Sequence, residues 1–168
     1  LENLYFDEIH KRNMDGKGII KKIALIVGCV ILILISFSIP ALQSFGTFLF
    51  AGIIYGTYIL FRNQNEEYEY IYTNGEIDID VIRGKSVRKR KLTIKPSNVE
   101  ILAKTTGGLY ESYKKNPQIQ KKLDFSDGNL QNAYFIVVNA NSLKQLVVFS
   151  PSDRLIEALK PYLRDKFK

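Results

Sequence analysis

Few residues in this 168-residue chain have the types and spacing that chemistry requires. The single histidine, His10, has no partner histidine or cysteine nearby. A lone imidazole in a polar N-terminal segment reads as a surface residue rather than a general base. The single cysteine, Cys29, lies in an uncharged stretch, so one chain can form neither a disulfide nor a thiolate metal site. Gly84-Lys85-Ser86 has the ending of a phosphate loop, but Ile79 stands where that loop needs its first glycine, and the flanks read as strands. Glu76, Asp78 and Asp80 alternate along one strand face. Carboxylates spaced two apart on a flat strand do not converge on one cation as the ligands of a calcium loop do, and they read as solvated. No nucleophile elbow, catalytic Cys/His pair or zinc-binding helix motif occurs. The sequence therefore predicts no enzyme, no metal and no cofactor.

What remains is charge. Arg83, Lys85, Arg88, Lys89, Arg90, Lys91 and Lys95 place seven basic residues within thirteen positions, in a chain of formal net charge +7. Such density invites anions, and near an anionic leaflet each Lys or Arg adds about 1 kcal/mol. The competing explanation is a solvated edge whose charges discourage strand-to-strand aggregation. Nucleic acid is a poorer fit, because no Phe, Tyr or Trp lies between Arg83 and Lys95 to stack on bases.

The elements that must position this run begin with an apolar block. From Ile23 to Phe61 there is no Asp, Glu, Lys, Arg or His. Thirty-nine uncharged residues are too many for one membrane span of roughly 20 residues and suit two. The expectation is a transmembrane helical hairpin over 19–62, with spans at 23–39 and 45–61. Pro40 disfavours a continuous helix, and Gln43 and Ser44 supply the turn. A signal peptide is a poorer reading, because the first span is long, lacks a small-residue cleavage pattern and is followed at once by a second. Lys11, Arg12, Lys17, Lys21 and Lys22 precede the first span, Arg62 follows the second, and the turn carries no Lys or Arg. The positive-inside rule then gives a two-pass protein of the cell membrane with both termini cytoplasmic. Gly52 and Gly56 form a G-x-x-x-G pair, a helix-packing candidate for Gly28, for a homodimer or for another membrane protein. Residues 1–18 read as a cytoplasmic tail that can form a short interfacial helix. ENLYF at 2–6 resembles part of a protease site used in tags, but Asp7 replaces the glutamine that site needs, so it is read as native; Leu1 in place of Met fits a non-AUG start or a trimmed chain.

Residues 66–168 read as a mainly-β domain. Asn74-Gly75 is the strongest short hairpin signal, because a type I′ turn needs positive φ at both positions. That turn sets Tyr68, Tyr70 and Tyr72 against Val81, Ile79 and Ile77 on one face, and leaves Glu69, Ile71, Thr73, Glu76, Asp78 and Asp80 for water. Further strands are expected at 87–94, 98–104, 121–126, 132–139 and 143–149, with turns at Arg83-Gly84-Lys85-Ser86 and Asn139-Ala140-Asn141-Ser142. Residues 107–119 read as irregular or briefly helical. A final amphipathic helix is expected from Ser150 as N-cap and Pro151 as first residue, with Leu155, Ile156, Leu159 and Leu163 as its stripe and Pro161 breaking its end.

Seven strands and a C-terminal helix are the elements of the pleckstrin-homology (PH) fold, a seven-stranded sandwich or partly open barrel. The chain also resembles a family of small bacterial membrane proteins, mainly from low-GC Gram-positive bacteria, that carry two transmembrane helices and a PH-like cytoplasmic domain. The resemblance rests on AGIIYGTYIL (51–60), YEYIYTNGEIDID (68–80) and VIRGKSVRKRKLTI (81–94), with a weaker echo in VVFSPSDRLIEALKPYL (147–163). It implies a module held at the bilayer that contacts anionic lipid headgroups or a protein partner, or an accessory subunit of a larger membrane complex. PH domains that bind inositides gather basic residues around the loop joining their first two strands. Here that loop is read as Asn74-Gly75, whose flanks are acidic, and the basic run lies one hairpin later, which argues for a non-specific contact.

Overall fold

A computed structural model describes residues 4–13, 16–140 and 142–168; Asn141, in the expected 139–142 turn, lies outside them, as does Leu1. The chain divides into two compact units. One gathers the residues up to Asn13 with Glu67–Lys168, and the other is the segment between them.

The first element is a strand, β1 (Tyr5–Lys11), and the expected interfacial helix does not form there. Its sequence alternates: Phe6 is buried, Glu8 and His10 are half-buried, and Tyr5, Asp7, Ile9 and Lys11 are exposed or nearly so. A strand uses that period of two, whereas a helix would scatter it around the axis. Phe6 stacks on Tyr72 at 5.1 Å, and the Arg154 guanidinium covers its other side at 4.2 Å.

The second unit holds α1 (Gly16–Ser38), the single-turn α2 (Pro40–Gln43) and α3 (Gly46–Asn63). Ile39, ahead of Pro40, has extended geometry (φ −101°, ψ 111°), as a pre-proline residue prefers. Residues 18–38 are long and apolar enough to cross a membrane; the apolar helix at 46–62 is shorter. Three hydroxyls turn back on their own helix: Ser36 donates to the Leu32 carbonyl (2.8 Å), Ser38 to Leu34 (2.8 Å) and Thr57 to Ile53 (2.7 Å). At the open end, Lys22 Nζ donates to Asn65 Oδ1 (2.8 Å) and lies 4.5 Å from the centre of the Phe61 ring. A Cβ added at Gly28, Gly52 or Gly56 would meet nothing within 4 Å, so these glycines do not pack against one another within the hairpin.

The other unit continues with β2 (Glu66–Thr73), β3 (Glu76–Arg83), β4 (Val87–Ile94), β5 (Val99–Lys104), α4 (Gly108–Lys115), β6 (Lys121–Phe125), β7 (Tyr134–Ala140), β8 (Leu143–Phe149) and α5 (Asp153–Leu163). There are two four-stranded sheets, ordered β1-β2-β3-β4 and β5-β7-β8-β6, rather than a closed barrel. Among the described residues, seven of the eight strands match the expectation and β1 is the addition. Asn74 (φ 47°) and Gly75 (φ 93°) make the anticipated turn. Gly75 is required twice, because a Cβ there would also lie 2.5 Å from the Tyr162 ring.

Tyr68, Tyr70, Tyr72, Ile77, Ile79 and Val81 face the interior, where they meet Ile136, Val147 and Phe149 of the second sheet and Leu155, Ile156, Leu159 and Leu163 of α5. The buried tyrosine hydroxyls have partners: Tyr70 donates to the Phe125 carbonyl (2.6 Å) and Tyr72 to Ala158 (3.0 Å). The outer face of the second sheet is covered too, by Tyr110 and Tyr113 of α4 and by Ile119. Burial on both faces explains the unbroken apolar runs in β7 and β8. The N-cap of α5 is Ser152, whose Oγ accepts from the Leu155 amide (3.2 Å), and not Ser150. Ser150 is committed elsewhere: its hydroxyl donates to Asp127 Oδ1 (2.9 Å), and its amide donates to the Tyr70 hydroxyl (3.1 Å). Pro161 sits inside the last turn, and the helix stops two residues later.

Candidate interaction surface on the first sheet

The basic run occupies β4 and the turn before it, and a register shift decides where each charge points. Ile79 pairs with Leu92 but Asp80 pairs with Arg90, so Lys91 is an extra residue bulged out of β4. Leu92 and Ile94 point into the core. Without the bulge Arg90 and Arg88 would share that face; with it they turn to the outer face, beside the acidic side chains of β2 and β3.

There they are consumed. Arg90 Nε donates to Asp80 Oδ1 (2.9 Å) and its Nη1 pairs with Asp78 Oδ2 (2.7 Å). Arg88 Nε lies 3.1 Å from Glu69 Oε2, and Lys95 Nζ lies 3.6 Å from Glu76 Oε1. Thr93 donates to Asp78 Oδ1 (2.5 Å). The expectation that Glu69 and Asp80 face water is therefore wrong: they are 2% and 5% exposed, covered by guanidinium groups. Burial pushes the Glu69 carboxyl above its ordinary range, against the pull of Arg88. The hydrogen bond that Arg90 donates to Asp80 raises the guanidinium, against its partial burial. Of the seven candidates, Arg88, Arg90 and Lys95 are thus neutralised in place. Lys85, Lys89 and Lys91 are exposed and make no ion pair among the described residues. Arg83 is exposed and already engaged in an interaction. Gly84 (φ 57°) and Lys85 (φ 60°) form a tight turn between strands, not a phosphate loop running into a helix.

Strand directions place the turns. β1 pairs antiparallel with β2 from Tyr5↔Thr73 to Lys11↔Glu67. Both strands therefore connect to the helical segment at the Lys11/Glu67 end of the sheet. β3 returns to that same end after the Asn74-Gly75 turn, so the Arg83–Ser86 turn lies there too, and Asn74-Gly75 lies at the opposite end. The first two strands of the sandwich are β1 and β2, and the loop that joins them is the whole helical segment, not Asn74-Gly75. The basic residues flanking that loop are Lys11, Arg12, Lys17, Lys21, Lys22 and Arg62.

A second polar cluster, which the sequence did not reveal, fastens β1 to the rest of its unit. Glu8 Oε1 accepts from the Ser152 amide (3.0 Å) and lies 3.1 Å from His10 Nε2. Burial works against this carboxylate, yet its His10 and Ser152 partners hold it below the ordinary carboxylate range. His10 is no surface residue: it is half-buried and stacks on Tyr70 at 5.0 Å. Arg12 Nη1 donates to the Tyr68 hydroxyl (2.6 Å) and its Nη2 reaches Asp124 (3.4 Å), while the Asn13 amide donates to the Asp127 carbonyl (2.7 Å). Burial also pushes the Tyr72 hydroxyl up to about 12. These groups anchor one another.

No curated protein and no solved structure matches the chain. The profile of the family described as Bacterial PH-like domain (DUF6106) matches residues 2–168, β1 and the helical segment included, and the chain belongs to that family.

Proposed function

We propose that this protein is a membrane-anchored, non-enzymatic interaction module. In this reading α1 and α3 cross the cell membrane as a two-pass hairpin with both ends cytoplasmic, and the β unit works against the inner leaflet. The observation that carries it is the insertion of the apolar segment between two paired strands, β1 and β2. Only Gln64 and Asn65 separate α3 from β2, a link that spans at most about 11 Å. The Arg83–Ser86 turn lies at the same end of the first sheet as that link. The basic flanks and the neutral turn favour this orientation. The shorter second helix suits a bilayer with Lys22 and Arg62 snorkelling at its edge. The cations available to headgroups are chiefly Lys85, Lys89 and Lys91.

The test uses full-length protein in nanodiscs of phosphatidylcholine alone or with phosphatidylglycerol, followed by hydrogen exchange over residues 83–91. Anionic lipid is expected to slow exchange there in a salt-sensitive way, and replacing the three lysines with glutamine is expected to abolish the difference. Equal exchange in both lipids at low salt refutes the headgroup contact. A second reading, an accessory subunit of a larger membrane complex, is favoured by the open surroundings of Gly52 and Gly56. It predicts that Gly52→Leu with Gly56→Leu releases a co-purifying membrane protein.

A further inference from the structure

The two sheets have four edge strands: β1, β4, β5 and β6. β5 is engaged at one point by the C-terminus, where Phe167 bridges Leu102 and the Lys168 amide donates to the Leu102 carbonyl (2.9 Å). β1 and β6 are tied to each other at their ends, by Arg12 to Asp124 and Asn13 to Asp127. β4 pairs with β3 on one side, and on its other side nothing is paired among the described residues. Its eight residues run Val87–Ile94, and Val87 is 61% exposed.

We propose that the free edge of β4 is a docking site for an acidic, extended peptide segment of a partner protein, which adds as a strand. Backbone hydrogen bonds to β4 supply the affinity in this mode, and side chains supply the selection. The selection here is by charge. Edge lysines and a bulge normally guard a strand against addition. They reject neutral and basic strands, and Lys89 and Lys91 favour one with carboxylates at alternate positions. A second copy of the chain is a poor occupant, because pairing β4 with itself would bring the unpaired Lys89 and Lys91 against the same two cations, while the acidic partners of Arg88 and Arg90 are already committed within the sheet. This site goes beyond the lipid contact and does not depend on the helices crossing a membrane.

The probe is a rhodamine-labelled Glu-Val-Glu-Val-Glu-Val-Glu peptide, presented to full-length protein in phosphatidylcholine nanodiscs so that no anionic lipid competes. Fluorescence anisotropy reads binding and hydrogen exchange locates it. The proposal expects saturable binding, protection of 87–94 amides, and an affinity loss of about tenfold or more for Lys89→Glu with Lys91→Glu. It also expects loss of binding when the peptide backbone is fully N-methylated. Unchanged exchange in β7 and β8 checks that the variant is folded. No binding, equal binding of the methylated peptide, or protection at another edge overturns the proposal. A Lys-Val peptide that binds as well as the Glu-Val one overturns it too. Whether anionic lipid protects 83–91 is read separately, so the lipid contact can fail while this site stands.

Discussion

The ion pair between Arg88 and Glu69 offers a sharp test of how the first sheet is held. Glu69 is 2% exposed, while the Arg88 side chain is 56% exposed. Breaking a fully buried pair costs about 3–5 kcal/mol, and an exposed one about 0.2–1 kcal/mol. This pair has one buried and one half-exposed member, and Arg90 still contributes some positive potential at Glu69. Arg88→Ala should therefore cost about 1–2 kcal/mol at neutral pH. Glu69→Gln removes the buried charge as well as its partner's purpose, so Arg88→Ala in that background should cost under about 0.5 kcal/mol. The pH dependence follows from the raised carboxyl. Glu69 is protonated in both folded and unfolded states at low pH, so the Arg88→Ala penalty is absent there. It appears as pH rises through the raised folded value and is complete only above the still higher folded value that Glu69 has without Arg88. Hydrogen exchange of β2 and β3 amides in full-length protein, compared across pH for the four members of the cycle, reads these differences. An Arg88→Ala penalty that persists at acid pH, or is as large in the Glu69→Gln background, would refute the argument that the arginine serves to neutralise this carboxylate.

Two further outcomes follow from the same geometry. Glu8 is held below its ordinary range, so it contributes stability that is present above the unfolded value and lost as pH falls through the folded one; Glu8→Gln should flatten the acid limb of the stability profile and speed exchange in β1, measured by pH-dependent hydrogen exchange. Gly75→Ala should lower thermal stability by about 1–3 kcal/mol, measured by differential scanning calorimetry of the full chain, because alanine resists φ 93° and its Cβ would press on Tyr162; an unchanged melting temperature would count against the turn geometry.

Legibility in the sequence tracked how local each signal was. The Asn74-Gly75 turn and the tyrosine face could be read because two residues fix the turn and a period of two fixes the face. The C-terminal helix could be read from its stripe, but the local pattern places its cap two residues early, because the long-range tie that commits Ser150 to Asp127 and Tyr70 leaves no local trace. β1 escaped because its partner lies far along the chain and only Phe6 among its residues is deeply buried. The bulge escaped for a different reason. In VRKRK the residues are charged from Arg88 to Lys91, so no apolar residue marks which face each one takes, and a one-residue shift leaves no trace in the pattern. Yet that shift determines which arginines are spent on Glu69, Asp78 and Asp80 and which lysines stay available.

The interruption of a paired ribbon by an apolar segment also constrains biosynthesis. β1 leaves the ribosome first, but its neighbour β2 follows only after the intervening helices, and Lys11 and Glu67 lie 56 positions apart. At ordinary translation speeds that is a wait of about 3–10 s, during which the nascent strand has an unsatisfied edge and an exposed phenylalanine. The helices meanwhile must be taken up by lipid or shielded by a chaperone. Closure of the β unit is thus kinetically subordinate to disposal of its greasy loop, and a chain whose helices stall would strand its first strand without a mate.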